Sequence, residues 1–84
     1  MDKDRFSKLS HAERARWLYF EGQLVTSIRY YKHKINLYLI GQVYVEVFYN
    51  HLRDCVDEIE ILDERSKRMN FYADQIKLPA DLSA

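Results

Sequence analysis

The soft metal ligands and nucleophiles of this chain are His11, His33, His51 and Cys55. Only His51 and Cys55 lie close together. Their spacing would suit one face of a helix, but the stretch reads as a loop. No paired-ligand motif of the CxxC or HExxH kind occurs, so the spacing points away from a metal centre. Cys55 with His51 is also the one thiolate–imidazole pair on offer, and small buried cysteines far outnumber reactive ones. Carboxylates gather at Asp54, Asp57, Glu58, Glu60, Asp63 and Glu64. Catalytic carboxylates must converge on a cleft, whereas strand alternation aims Glu58 and Glu60 at solvent. With no glycine-rich phosphate loop and no nucleophile elbow, the expectation is a chain that is not an enzyme and needs no cofactor.

Binding chemistry has three candidates. Arg29, Tyr30, Tyr31, Lys32 and Lys34 surround His33, and cations interleaved with tyrosines can hold phosphates while the rings stack on bases. No aromatic-glycine motif of the RNP type, GXXG loop or zinc knuckle accompanies them. A solvated basic turn guarding a sheet edge is the plainer account. The second candidate is aromatic: Tyr38, Tyr44 and Phe48, with Glu46 among them. If these share an uncovered sheet face, they form a docking surface, and a homodimer by face-to-face sheet packing or by edge pairing of strands is the leading variant. Strand tyrosines with a hydroxyl in water are the bland alternative. The third is Lys8, Arg14 and Arg16 beside Trp17 and Phe20, a basic amphipathic pattern that can dock on a membrane or another helix. Glu13 and Glu21 dilute that charge, and core packing accounts more simply for the two rings.

The elements that position these groups centre on KINLYLIGQVYVEVFY, residues 34–49. β-branched and aromatic residues at period two, broken by Gly41, predict a hairpin. A two-residue loop would set Ile35, Leu37 and Leu39 beside Tyr44, Glu46 and Phe48, leaving an unpaired carboxylate among leucines. A three-residue loop gathers Ile35, Leu37, Leu39, Val43, Val45 and Val47 on one face instead. Burying an unpaired carboxylate is costly, so the three-residue loop is expected, with Gly41 at positive φ.

Ser10 and Glu13 have the form of a capping box, and Gly22 stands where a left-handed C-terminal cap belongs, which predicts a helix over 11–21. Residues 23–32 read as a strand with Leu24, Thr26, Ile28 and Tyr30 on one face, turning near Lys32 to Lys34. Residues 56–62 read as a fourth strand with Ile59 and Ile61 inward. Asp63 then caps a helix from Glu64, whose stripe is Met69, Tyr72, Ala73 and Ile76. Leu78 packs at its end and Pro79 stops it.

The fold expected is therefore α+β, an antiparallel four-stranded meander between an N-terminal and a C-terminal helix, both on one face of the sheet. A single domain over 1–84 follows from the length, with 1–9 and 80–84 loosely ordered. Net charge is +0, which draws the chain to no polyanion. Residues 1–34 carry eight basic and four acidic side chains, and residues 35–84 five basic and nine acidic. One cysteine excludes an internal disulfide, and no apolar run has the length of a signal peptide or membrane span. The expectation is a small cytoplasmic protein of bacterial type that binds protein, with nucleic acid as the alternative and no membrane partner.

Overall fold

The computed structural model describes residues 1–75. Helices α1 (Lys3–Ser7) and α2 (His11–Glu21) lead into strands β1 (Gln23–Tyr30), β2 (His33–Ile40), β3 (Val43–Asn50) and β4 (Cys55–Ile61), and α3 (Met69–Gln75) follows. The four strands form one antiparallel sheet in chain order, so the class is α+β with the expected meander. No helix among the described residues is long and apolar enough to cross a membrane.

Local chemistry sets the N-terminal helices. Ser10 Oγ accepts from the Glu13 amide at 3.2 Å, and Glu13 Oε1 accepts from the Ser10 amide at 2.9 Å, so the capping box closes. Those bonds hold the Glu13 carboxyl below its ordinary range. Gly22 does not take the left-handed cap: at φ −79° and ψ 148° the chain runs straight into β1. A Cβ there would sit 2.6 Å from the Leu18 carbonyl oxygen, so close approach demands the glycine. The start of the chain, expected to be loose, instead forms α1. Asp2 caps it through the Arg5 amide, and Phe6 is fully buried.

The hairpin between β2 and β3 departs from expectation. Ile40 pairs with Val43, so the loop is the two residues Gly41 and Gln42, with Gly41 at φ +59°. Directly opposed residues share a face, and the register couples Ile35 with Phe48, Leu37 with Glu46 and Leu39 with Tyr44. Glu46 thus lies among the leucines. The costly arrangement exists because the carboxylate is not unpaired, as shown below.

The same register places the helices on opposite faces. Phe6 of α1 and Leu18 of α2 pack on Ile40, Val43, Val45, Val47 and Ile59. Tyr72 of α3 packs with Ile28, Ile35, Leu37, Phe48 and Leu62. The expected sharing of one face by the helices is therefore corrected: the sheet is covered on both sides. Strand β3 lies between the two clusters, and for this reason six of its eight residues are buried.

Three smaller differences follow. A bulge between Leu24 and Thr26 turns Leu24 to the α2 side, opposite Tyr38, while Thr26 and Ile28 keep the α3 side. Tyr30 pairs with His33, so the first turn is Tyr31–Lys32, with Tyr31 at φ +56°. After β4, Asp63 closes a turn by accepting from the Arg65 and Ser66 amides, and the helix begins only at Met69. Met69 and Tyr72 face the sheet, and Ala73 does not. Ile76, Leu78, Pro79 and 80–84 lie outside the described residues.

Candidate functional site

The four aromatic-face residues do not come together. Tyr38 opposes Val45 on the α2 side and packs against that core. Tyr44, Glu46 and Phe48 lie on the α3 side, where Phe48 is 7% exposed, Glu46 0% and Tyr44 37%. Phe48 is sealed beneath its own chain. Among the described residues, no free aromatic sheet face exists of the kind that a three-residue loop would have made.

Glu46 instead centres a buried polar cluster. Arg68 Nε and Nη2 donate to its two oxygens at 2.6 and 2.8 Å, and Tyr72 Oη donates at 2.7 Å. The Arg68 guanidinium also stacks 5.2 Å from the Phe48 centroid and 5.5 Å from that of Tyr30. Burial first, then the bond to Glu46, pushes the Tyr72 phenol well above its ordinary range. Both carboxylate oxygens are engaged, so the cluster offers no free base. It fastens α3 to the sheet.

A second polar cluster closes the far end of the sheet. His33 Nε2 donates to Asp57 Oδ2 at 2.8 Å, and Asn50 Nδ2 donates to the same oxygen at 3.0 Å. Cys55 Sγ lies 3.6 Å from Asp57 Oδ1. The bond to His33, then that to Asn50, lowers the Asp57 carboxyl from 3.8 to about 2. His51 turns away to Arg29 at 2.9 Å and to the Tyr49 ring, so it forms no pair with Cys55. Among the described residues, no three or more His, Cys, Asp or Glu side chains converge to hold a metal ion.

The basic–aromatic stretch is split by strand alternation. Arg29 and Lys34 oppose each other on the α2 side, with Tyr49 beside Lys34. Tyr30 points to the α3 side, edge-on to Phe71 at 5.6 Å, and Tyr31 and Lys32 occupy the turn. Tyr31 is 90% exposed.

The exposed apolar surface lies elsewhere, on α2. One side of this helix meets the sheet: His11, Ala15, Leu18 and Tyr19 line a groove with Tyr38, Val47, Val56 and Ile59. Of the α2 residues, only Leu18 is buried. Arg14 reaches the sheet edge, donating to the Ile59 carbonyl at 2.6 Å and to the Ser7 carbonyl at 3.0 Å. At a helical pitch of about 3.6 residues, Arg16, Trp17, Phe20 and Glu21 then fall on the outer side. These four line one shallow depression. Phe20 is 72% exposed and Tyr19, edge-on to it at 5.2 Å, 84%. Past Gly22, Leu24 and the bulged Val25 continue the apolar character along β1, an edge strand.

The chain matches no family model, no curated protein and no solved structure. Function must be read from the surface alone. The sequence signal for this surface was present in Arg16, Trp17 and Phe20, but core packing was the expected fate of the rings. The structure corrects it, because α2 touches the sheet with its other side.

Proposed function

We propose that this chain is a protein–protein interaction module that self-associates, and that the outer side of α2 with the start of β1 is its contact surface. The observation that carries this reading is the exposure of Trp17, Phe20 and Leu24 on adjoining elements. Contiguous apolar patches of this kind mark interaction sites more often than they mark idle surface. Both sheet faces are already covered, and the β4 edge is occupied at Ile59 by Arg14. Sedimentation equilibrium tests the proposal. A dimer that Trp17→Ser and Phe20→Ser each convert to monomer supports it; a wild-type monomer at the highest soluble concentration ends it.

A second reading, single-stranded nucleic-acid binding, is favoured by one observation. Arg29 and Lys34 stand side by side with Tyr49 next to them, beyond the groove that α2 covers. It requires salt-sensitive retention of single-stranded RNA that Lys34→Ala weakens across sequences. No retention at low salt removes it.

A further inference from the structure

The end of the sheet away from Gly41 is built unlike the rest of the surface. Tyr30, His33, Asn50 and Cys55 stand in one row across the four strands, so the Tyr31–Lys32 turn and the His51–Asp54 loop project from the same end. Each carries one large apolar side chain. Tyr31 is 90% exposed and Leu52 89%, the two highest values for a large hydrophobic among the described residues. With neighbouring strands about 4.8 Å apart, the two turns sit roughly 10 Å from each other. Folding accounts for neither side chain. Tyr31 sits at φ +56°, a conformation that glycine or asparagine takes readily and a bulky ring does not. Leu52 donates its amide to Asn50 Oδ1, so the loop uses its backbone while its side chain stays in solvent.

Cations surround the two tips. Lys32 follows Tyr31, Arg53 follows Leu52, and Arg29 and Lys34 oppose each other one row behind. All four are exposed, and among the described residues none is in an ion pair. Arg29 Nη1 lies 2.9 Å from His51 Nε2, which ties β1 to the neighbouring loop. The carboxylates nearby are already engaged: Asp54 accepts from Tyr49 Oη, and Asp57 from His33 and Asn50.

We propose that this end docks on an anionic lipid bilayer, with Tyr31 and Leu52 entering the interface and the four cations meeting the headgroups. Such docking needs no spanning helix, because apolar tips and a basic collar each contribute to binding. The long stems of the cations keep their charges at headgroup level while the tips go deeper. Single-stranded nucleic acid would use the same charges, but a base stacks on a ring, and Leu52 has none. The leucine is what favours lipid. The surface is also separate from the α2 contact, which adjoins the other end of β1.

Vesicle flotation tests the proposal, with phosphatidylglycerol and phosphatidylcholine in equal parts against phosphatidylcholine alone. The full chain should float with the anionic vesicles at low salt and be released as salt rises. Lys32→Ala/Arg53→Ala should weaken retention at least about tenfold. Leu52→Ser should weaken it at least about fivefold. These positions are exposed, so urea unfolding of the variants should match wild type. Tyr19→Ser removes a similarly exposed ring from α2 and should float as wild type does. No flotation of wild type at low salt overturns the proposal. So does flotation that Leu52→Ser leaves intact, because adsorption by charge alone would then suffice. Release by inorganic phosphate, matched to the lipid phosphate, would reduce the site to a bound anion and overturn it too. Single-stranded RNA held equally by wild type and Leu52→Ser, without flotation, would assign the cations to nucleic acid instead.

Discussion

Arg68 grips both oxygens of Glu46, one residue in the turn before α3 and the other in the middle of β3. The carboxylate is fully buried and the guanidinium side chain is one-quarter exposed. Truncating one member of such a pair leaves a buried charge without its partner, and costs about 3–5 kcal/mol. A domain of this size has roughly 4–13 kcal/mol in all. Arg68→Met is therefore expected to bring the protein close to unfolding in urea denaturation. Glu46→Leu/Arg68→Met removes both charges, and should recover part of the loss, because only the neutral Tyr72 hydroxyl is then left without its acceptor. A double variant no more stable than Arg68→Met would show that the pair is not the source of the effect.

That pair also explains which parts of the fold were legible in the sequence. The capping box of Ser10 and Glu13, the α2 boundaries and the four strands all follow from signals within a few residues. The hairpin register does not. Choosing the loop at Gly41 required knowing whether Glu46 would be paired, and its partner lies 22 residues downstream in a segment that reads as the body of a helix. With Arg68 unassigned, the carboxylate looked stranded and the other loop looked better. That one choice moved every side chain of β3 to the opposite face. The aromatic docking face and the placement of both helices on one side were consequences of it. The outer side of α2 was hidden for a different reason: periodicity shows that Trp17 and Phe20 are neighbours, but not which side of the helix meets the sheet.

Tyr72 supplies the third hydrogen bond to Glu46, with its ring buried under α3. Tyr72→Phe keeps the ring and removes only the hydroxyl. Hydrogen bonds to charged groups are worth about 1.5–3 kcal/mol, so a loss in that range is expected in urea denaturation. The phenol should also fail to ionise in the folded state where ordinary tyrosines do. Alkaline spectrophotometric titration would then count the same number of tyrosinates in folded wild type as in folded Tyr72→Phe. A loss below about 0.5 kcal/mol, or ionisation of Tyr72 near pH 10, would contradict the bond.

At the opposite end of the sheet, Asp57 makes stability depend on acid. Its carboxyl is lowered from 3.8 to about 2, first by the bond from His33 and then by that from Asn50. A depressed carboxyl value means that the unfolded chain binds the proton more readily than the folded one. The stabilisation is therefore complete above about pH 4 and is lost as the pH falls towards 2. His33→Ala removes the larger cause, and should raise the Asp57 value towards 3.8 in a carboxyl-resolved NMR titration. An unchanged Asp57 titration in that variant would refute the assignment.

Gly41 turns the central hairpin at φ +59°, a conformation in which a side chain is strained. A Cβ would also lie 2.7 Å from the Met1 carbonyl oxygen, so the N-terminal segment packed there would have to move. Gly41→Ala should cost more than about 1 kcal/mol in thermal or urea unfolding. Deleting Met1 relieves the contact but not the dihedral strain. A penalty that the deletion abolishes would trace the effect to crowding alone.

The two sides of α2 should respond differently to truncation, and the contrast checks the fold independently of any partner. Leu18 sits among Ile40, Val43, Val45, Val47 and Ile59, so Leu18→Ala removes buried methyl groups and leaves a cavity. A loss of about 2–5 kcal/mol is expected. Phe20 is on the solvent side of the same helix, and Phe20→Ser at a protein concentration low enough to suppress association should change stability by no more than about 0.5 kcal/mol. Unfolding curves of both variants under identical dilute conditions measure the difference. If Phe20→Ser were as damaging as Leu18→Ala in the monomer, the ring would belong to the core, and α2 would have no outer surface to offer a second copy. If the penalty for Phe20→Ser emerges only as concentration rises, its free energy resides in the dimer contact, because stabilisation by association grows with concentration and stabilisation by the core does not.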